Sequence, residues 1–322
     1  MASSAVLLLL ILIAVAATHT AADAEGTPAA RFWEAALPGS RMPESIADLV
    51  QKGTDQSPLD EHHSAALYLP TASNAYNTYD AQCGGAHPAS RQAEELMRGF
   101  FFHEADMRVG GALTVFLPAS DPASFLPRQA ADRIPFGNLA DALDRFGIAP
   151  GSEEAARVGE TVCRCRAAPL AGERKACATS LEGVVLSAKR MLATSRPVAA
   201  AASALPISGL PRRAYVVQAI RQLGSGRFVA CHSRPYPYAV YACHMTEGSS
   251  QAYGVSIRGG GGLPTATATV DMAALCHFDT SNWNPAHLAF KILRTHPGGL
   301  PVCHFLPYAD LVFGEKQAAN EG

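Results

Sequence analysis

The sequence has no block of charge of one sign, and this absence narrows the classes of partner. Its 322 residues carry 26 Lys or Arg and 28 Asp or Glu, with neither sign gathered into a run. Basic blocks are typical of proteins that bind nucleic acid or an anionic membrane surface. We therefore expect no nucleic-acid partner and no electrostatic binding to a membrane.

Long apolar runs are also missing beyond the N-terminus. The run over residues 5–17 is shorter than the roughly 20 apolar residues that a membrane-spanning helix needs. It leads to Ala22-Asp23-Ala24, which has the small-x-small form of a signal-peptidase site. We interpret residues 1–24 as a signal peptide, with an uncleaved anchor as the alternative. The prediction is a secreted, extracellular protein without a membrane span.

Several enzyme motifs are absent as well. No G-x-S-x-G elbow occurs, and "RGGGGLP" lacks the Lys-Ser/Thr ending of a phosphate-binding loop. The segment "HEADM" begins like a zinc-protease helix, but Met107 stands where that helix needs its second histidine. These absences argue against those three enzyme classes.

Cysteine, by contrast, is plentiful and even in number. Secreted proteins use cysteine mainly in disulfides, and eight cysteines allow 105 different pairings, so the sequence leaves the connectivity open. One pair lies on either side of a Pro-Gly loop that a disulfide could close. That pair is Cys165 and Cys177; the other cysteines are Cys83, Cys163, Cys231, Cys243, Cys276 and Cys303.

Four of these cysteines are followed directly by histidine, although chance would produce about 0.3 such pairs in a chain of this composition. On a β-strand, neighbouring side chains point to opposite faces, so the sulfurs could form disulfides while the imidazoles converge on a metal or line a cleft. Converging neutral imidazoles suit copper or zinc, and copper binds them more tightly. The alternative is that each is a hydrogen-bonded core histidine. The four are His232, His244, His277 and His304.

The chain divides by composition into five parts. Residues 1–24 are the signal peptide, 25–53 a short N-terminal segment with a helix beginning at Pro43-Glu44, and 54–96 a flexible polar linker. Residues 97–315 form the globular domain, and 316–322 a tail. Short apolar runs such as "RFVACH" and "YAVYACH" predict strands of an antiparallel sheet.

A few helices accompany these strands. "EEAARVGETVCRCR", "KACATSLEGVVLSAKRML" and "NPAHLAFKILRT" are predicted to be helical, the last with Pro285 in its first turn. The fold class is therefore α+β, a largely antiparallel β-sheet domain stapled by disulfides. Trp283 and His287 suggest rings at the edge of a site, with packing of the last helix as the alternative.

These motifs resemble those of the plant BURP-domain family. The resemblance covers residues 97–314 and rests on the four Cys-His pairs with "FFHEADMRVG", "GERKACATSLEGVV", "CHFDTSNWNPAHLAF" and "PGGLPVCHFLP". The N-terminal segment is similar to that of the RAFTIN-like and RD22-like groups. The family's members are secreted or associated with the cell wall and are linked to seed, pollen and stress biology.

The resemblance also implies a site. It implies that His232, His244, His277 and His304 bind copper and that Cys165 and Cys177 form a disulfide. Cys83 and Cys163 are additional to the family's pattern, and either pair with each other or remain thiols.

Two functions follow from the resemblance. Some members are copper-dependent peptide cyclases, so Tyr76 or Tyr79 of the linker is a possible self-substrate, and another peptide is an alternative substrate. Another member is a non-catalytic partner of a wall polygalacturonase. The second prediction is accordingly a structural module that binds a cell-wall polysaccharide or wall protein.

Overall fold

The computed structural model describes residues 26–55, 83, 94–95, 97–134, 136–196, 198–259 and 269–316. The predicted signal peptide, nearly all of the predicted linker and tail, and both Tyr76 and Tyr79 lie outside these residues. The predictions made for those parts therefore stay predictions.

Seven α-helices occur in the described part of the chain, and capping side chains start several of them. Thr27 accepts a hydrogen bond from Ala30 N, and Ser152 accepts one from Ala155 N, each at 3.1 Å. Such caps stabilise a helix by about 1 kcal/mol. The helices are α1 (Pro28–Ala36), α2 (Glu44–Asp55), α3 (Arg128–Ala131), α4 (Leu139–Arg145), α5 (Glu153–Arg166), α6 (Leu181–Leu192) and α7 (Leu288–Leu293).

Eleven β-strands form two antiparallel sheets among the described residues. The six-stranded sheet has the order β1-β10-β9-β8-β5-β2, and the five-stranded sheet has the order β3-β7-β6-β11-β4. The strands are β1 (Phe101–Phe102), β2 (Ala112–Leu117), β3 (Glu173–Ala178), β4 (Val198–Ala201), β5 (Leu210–Leu223), β6 (Ser225–Arg234), β7 (Val240–Thr246), β8 (Ser250–Gly259), β9 (Thr269–His277), β10 (Val302–Phe305) and β11 (Leu311–Glu315).

The two sheets pack against each other through a layer of small and aliphatic side chains. Ala230 of β6 and Ala273 and Leu275 of β9 belong to this one buried cluster. Because residues two apart on a strand share a face, this inner face continues into His232 and His277. The predicted α+β, largely antiparallel fold is confirmed, its strands form two sheets, and the histidines lie at one end of the layer between them.

The opposite faces of the same strands form the main hydrophobic core. Cys231 of β6 and Cys276 of β9 lie in it together with Val184 of α6. The N-terminal helices belong to this core too, since Trp33 of α1 and Ile46 of α2 are fully buried there. The segment at 25–53 thus contributes to the body that the sheets build.

The close packing of α2 depends on a glycine. A Cβ placed on Gly53 would lie 1.7 Å from the carbonyl oxygen of Phe125, so any other side chain would push the two segments apart. Phe125 N also donates a hydrogen bond to Leu49 O at 3.1 Å.

All eight cysteines form disulfides. Cys165–Cys177 is confirmed, and it joins the end of α5 to β3. Cys83 and Cys163, for which the sequence left two alternatives, pair with each other. The other two disulfides are Cys231–Cys243 and Cys276–Cys303.

Two local predictions were wrong. The segment "KACA", predicted to be helical, forms the end of β3, because it pairs with β7 in the register Cys177↔Ala242. Helix α7 begins only at Leu288 and His287 is its N-cap, so Pro285 precedes the helix instead of lying in its first turn. In both places tertiary contacts override local propensity.

Candidate metal centre

The register of β6 and β7 determines where the first two Cys-His pairs point. Cys231 lies opposite Cys243, and their disulfide joins the strands on the face of the main core. His232 and His244 therefore project together from the other face, each one residue beyond its cysteine. A one-residue slip of either strand would turn its imidazole away from the inner layer, and the disulfide prevents it.

Strands β9 and β10 repeat the same construction in the six-stranded sheet. Cys276 lies opposite Cys303, and both disulfides have a Cα–Cα distance of 3.9 Å. His277 and His304 project towards the first pair. Two cystine-stapled hairpins, one from each sheet, thus face each other with their histidines.

The four imidazoles form a continuous row. Ring centroids are 5.3 Å apart for His244 and His232, 5.9 Å for His232 and His304, and 5.6 Å for His304 and His277. His244 Nε2 lies 3.3 Å from His232 Nε2. The structure therefore brings together all four histidines that the sequence singled out.

A buried carboxylate holds His232. Asp310 Oδ2 lies 2.6 Å from His232 Nδ1, and Oδ1 of the same group accepts a hydrogen bond from Ser233 N at 2.9 Å. Asp310 sits directly before β11, the neighbour of β6 in the five-stranded sheet. With Asp310 ionised, Nδ1 of His232 donates and the lone pair of the ring is on Nε2.

A second carboxylate holds His244 in a similar way. Glu173 Oε1 lies 3.2 Å from His244 Nδ1, and Glu173 Oε2 accepts a hydrogen bond from Leu170 N at 3.0 Å. Glu173 is the first residue of β3, the other neighbour of β7. The Cys165–Cys177 disulfide anchors the far end of this edge strand to α5.

The histidines of the six-stranded sheet have other neighbours. His304 Nδ1 lies 3.2 Å from the carbonyl oxygen of Phe305, and its ring stacks on Phe100. His277 Nδ1 is buried and has no hydrogen-bond partner among the described residues. Trp283 contacts the His277 ring edge-on, at 4.9 Å between centroids.

Burial shifts the pKa values of these groups. It lowers the pKa of His232 and of His277 well below 6.5, and it lowers those of His304 and His287 to about 3. Burial also raises the pKa of Asp310 to about 7. The imidazoles of His232, His277, His304 and His287 are consequently neutral at pH 7. The neutral imidazole is the form that binds metal ions.

A cavity of about 260 Å³ opens onto the row of imidazoles. Trp283, Phe101 and His287 form an aromatic part of its wall, and Lys175, Arg234, Glu173 and Glu247 form a charged part. His287 accepts a hydrogen bond from Ala289 N through Nδ1, so its Nε2 carries the proton and donates. His287 is thus a donor group beside the four candidate ligands.

The residues fit a metal ion by their chemistry, although no three His, Cys, Asp or Glu side chains in the described ranges are already placed as ligands of one ion. His232 Nε2 and His244 Nε2 lie 3.3 Å apart, so both nitrogens could bind one ion. Carboxylates behind Nδ1 are the usual supports of metal-binding histidines, and the orphaned His277 Nδ1 is unusual for a purely structural ring.

Asp310 and Glu173 were not found from the sequence. The sequence does contain an indication for Asp310, which is a lone charge in the apolar stretch "LPYADLVFG". A buried charge requires a partner. The sequence contains no such indication for Glu173, because it stands among other charged residues. Trp283 and His287, which the sequence left between site and core, both line the cavity.

Fold and site together define a class: a two-sheet domain stapled by cystines, with a buried histidine row beside a cavity. The BURP domain family model matches residues 100–315. The chain belongs to the BURP-domain family, as the resemblance indicated.

Named plant relatives agree with this assignment. BURP domain-containing protein 13 of Oryza sativa subsp. japonica is 48% identical over 220 residues, covering 67% of this chain and 53% of the relative. Protein RAFTIN 1B of Triticum aestivum is 35% identical over 330 residues, covering 88% and 90%. BURP domain protein RD22 of Arabidopsis thaliana is 37% identical over 221 residues, covering 66% and 55%.

The chain therefore matches about half the length of the rice and Arabidopsis relatives. Within the described residues, none of the helices has the length and apolarity to cross a membrane.

Proposed function

We propose that the chain is a secreted BURP-domain protein that binds copper through His232, His244, His277 and His304. It acts in the cell wall, in anther or seed development, or in the response to stress. Bound copper would supply redox chemistry, which zinc lacks. The observation that carries the proposal is the convergence of four imidazoles from two sheets.

Three further observations support copper at this place. Nδ1 of His232, His244 and His304 each faces an oxygen acceptor, which places the lone pair on Nε2. The buried rings are neutral at pH 7. The disulfides hold the strands in the register that the convergence requires.

Copper binding is tested on the purified mature protein by equilibrium dialysis and elemental analysis. We expect one copper per chain, lost in His244→Ala and retained in His296→Ala, whose ring is exposed and lies outside the cavity. A wild-type protein that retains no copper, or a His244→Ala variant that retains the wild-type amount, would contradict the proposal.

Secretion is supported by the pairing of all eight cysteines, because disulfides persist in oxidising compartments. A fluorescent fusion expressed in plant cells and then plasmolysed tests it. We expect the signal in the wall space, bound to a wall polysaccharide or wall protein. Fluorescence confined to the cytosol would show that the predicted signal peptide does not function.

A second candidate function is favoured by the cavity beside the histidines. It is lined by Trp283 and Phe101, so a phenol or indole ring entering it would meet apolar rings close to the imidazole row. We propose as the alternative a copper-dependent peptide cyclase acting on Tyr76 or Tyr79 of its own linker. Each crosslink would remove two protons and two electrons from the peptide, and dioxygen would accept them to give hydrogen peroxide.

Peptide-level mass spectrometry after incubation with and without Cu(II) separates the two functions. A cyclase predicts a loss of two hydrogens per crosslink in the fragment that holds Tyr76 and Tyr79, absent in His244→Ala. A protein that binds copper while its mass stays unchanged contradicts self-cyclisation and favours the wall-associated role.

A further inference from the structure

We propose that Glu173 and Asp310 are positioning residues of this site: they select the imidazole tautomers of His244 and His232 and thereby fix Nε2 as the ligating nitrogen. The inference rests on the copper binding proposed above. It assigns to two acidic side chains a role that the Cys-His pattern does not contain.

The two carboxylates are built into the fold in the same way. Each presents one oxygen to an imidazole Nδ1 and uses the other to accept a backbone N–H, from Leu170 for Glu173 and from Ser233 for Asp310. Both side chains are only 6% exposed. An ionised carboxylate only accepts hydrogen bonds, so Nδ1, the ring nitrogen that faces each carboxylate, carries a proton.

This arrangement turns two lone pairs towards each other. His232 Nε2 and His244 Nε2 are 3.3 Å apart, and two nitrogen lone pairs at that distance repel unless a cation lies between them. The carboxylates therefore orient the hairpin of β6 and β7 as a chelating pair before any ion arrives. They also make the two rings more basic and hence stronger ligands.

The hairpin of β9 and β10 is supported differently. His304 Nδ1 faces the backbone carbonyl oxygen of Phe305, and His277 Nδ1 has no hydrogen-bond partner among the described residues. We infer that His232 and His244 anchor the ion and that the other two rings complete the site.

Replacing each carboxylate by an amide tests this positioning role, because the backbone N–H that each carboxylate accepts fixes the orientation of the amide. In Glu173→Gln the amide oxygen must face Leu170 N, so the NH₂ group faces His244 Nδ1. Asp310→Asn likewise directs its NH₂ group to His232 Nδ1. Each amide forces Nδ1 to accept, which moves the proton to Nε2 and removes the ligating lone pair.

The experiment measures copper affinity by competition with a chelator at neutral to mildly alkaline pH. We expect Glu173→Gln and Asp310→Asn to weaken binding by about 10- to 100-fold. The matched control is Glu247→Gln, which removes one carboxylate from the same cavity wall without touching a candidate ligand. We expect it to change affinity by no more than about twofold.

Nitrogen-15 NMR of the imidazoles in the metal-free protein provides an independent reading. We expect Nδ1–H at His232 and His244 in the wild type, and Nε2–H at the ring beside each amide. Wild-type rings that carry the proton on Nε2, or acidic-residue variants that bind copper like Glu247→Gln, would overturn the inference.

Copper affinity and the NMR tautomer assignment together also separate this inference from the proposed function. A wild-type protein that has the expected tautomers but binds no copper would disprove copper binding alone. If Asp310→Asn does not fold, Glu173→Gln still decides the question, because Glu173 lies on an edge strand.

Discussion

The hairpin of β6 and β7 and the hairpin of β9 and β10 share one construction but differ in what surrounds it. Both place a disulfide on the core face and two histidines on the inner face. In the first, two carboxylates back the imidazoles, whereas in the second a backbone carbonyl and aromatic rings do. The comparison teaches that the disulfide determines where the rings lie, while neighbouring strands determine their chemistry.

The largest expected effect comes from removing either disulfide. The double variant Cys231→Ala/Cys243→Ala should lower the free energy of unfolding by about 3 kcal/mol. The double variant Cys276→Ala/Cys303→Ala should lower it by about 0.7 kcal/mol more than the first, because its disulfide closes a longer loop. The sequence separations are 12 and 27 residues. Urea unfolding measures both, and a larger loss for the shorter loop would contradict this account.

The next largest effect is a difference between the two hairpins in how much their histidines contribute to copper affinity. We expect His232→Ala to weaken copper binding at least about tenfold more than His277→Ala, a difference of about 1.4 kcal/mol. The reason is that Asp310 supports His232, whereas His277 Nδ1 has no hydrogen-bond partner among the described residues. Chelator competition measures both variants beside His296→Ala. Equal losses would show that the four imidazoles contribute alike and would break the distinction between the hairpins.

Much of this comparison was predictable from the sequence, and the physical reason is local alternation. A Cys-His dipeptide on a strand must send sulfur and imidazole to opposite faces, which predicted that the sulfurs could pair and the imidazoles could converge, while the disulfide connectivity stayed open. What separates the hairpins was not predictable, because Asp310 reaches His232 across 78 residues of chain. The division into two sheets depends on strand order, and strand order has no local signature either.

The smallest effect concerns a fifth imidazole that lies beside the second hairpin. Burial, and after it the charge on His304, lowers the pKa of His287 to about 3. The unfolded chain binds a proton at this ring below pH 6.5, whereas the folded protein does not until about pH 3. Stability therefore falls as the pH is lowered through that window.

His287→Gln removes this proton uptake. Although the variant also loses the N-cap of α7, the slope of the unfolding free energy against pH should decrease by about 1.4 kcal/mol per pH unit between pH 6 and pH 4. Urea unfolding at a series of pH values measures the slope, and His296→Gln, with an exposed ring, is the control. An unchanged slope in His287→Gln would mean that this ring is protonated in the folded protein.

The central claim is that imidazoles from both sheets form one copper site. Anomalous diffraction at the copper edge, from crystals of the mature protein grown with one equivalent of Cu(II), tests it most directly. The account predicts a single peak among His232, His244, His277 and His304, bound through Nε2 of the first two. A peak at an exposed histidine such as His296, or none in the row, would contradict it.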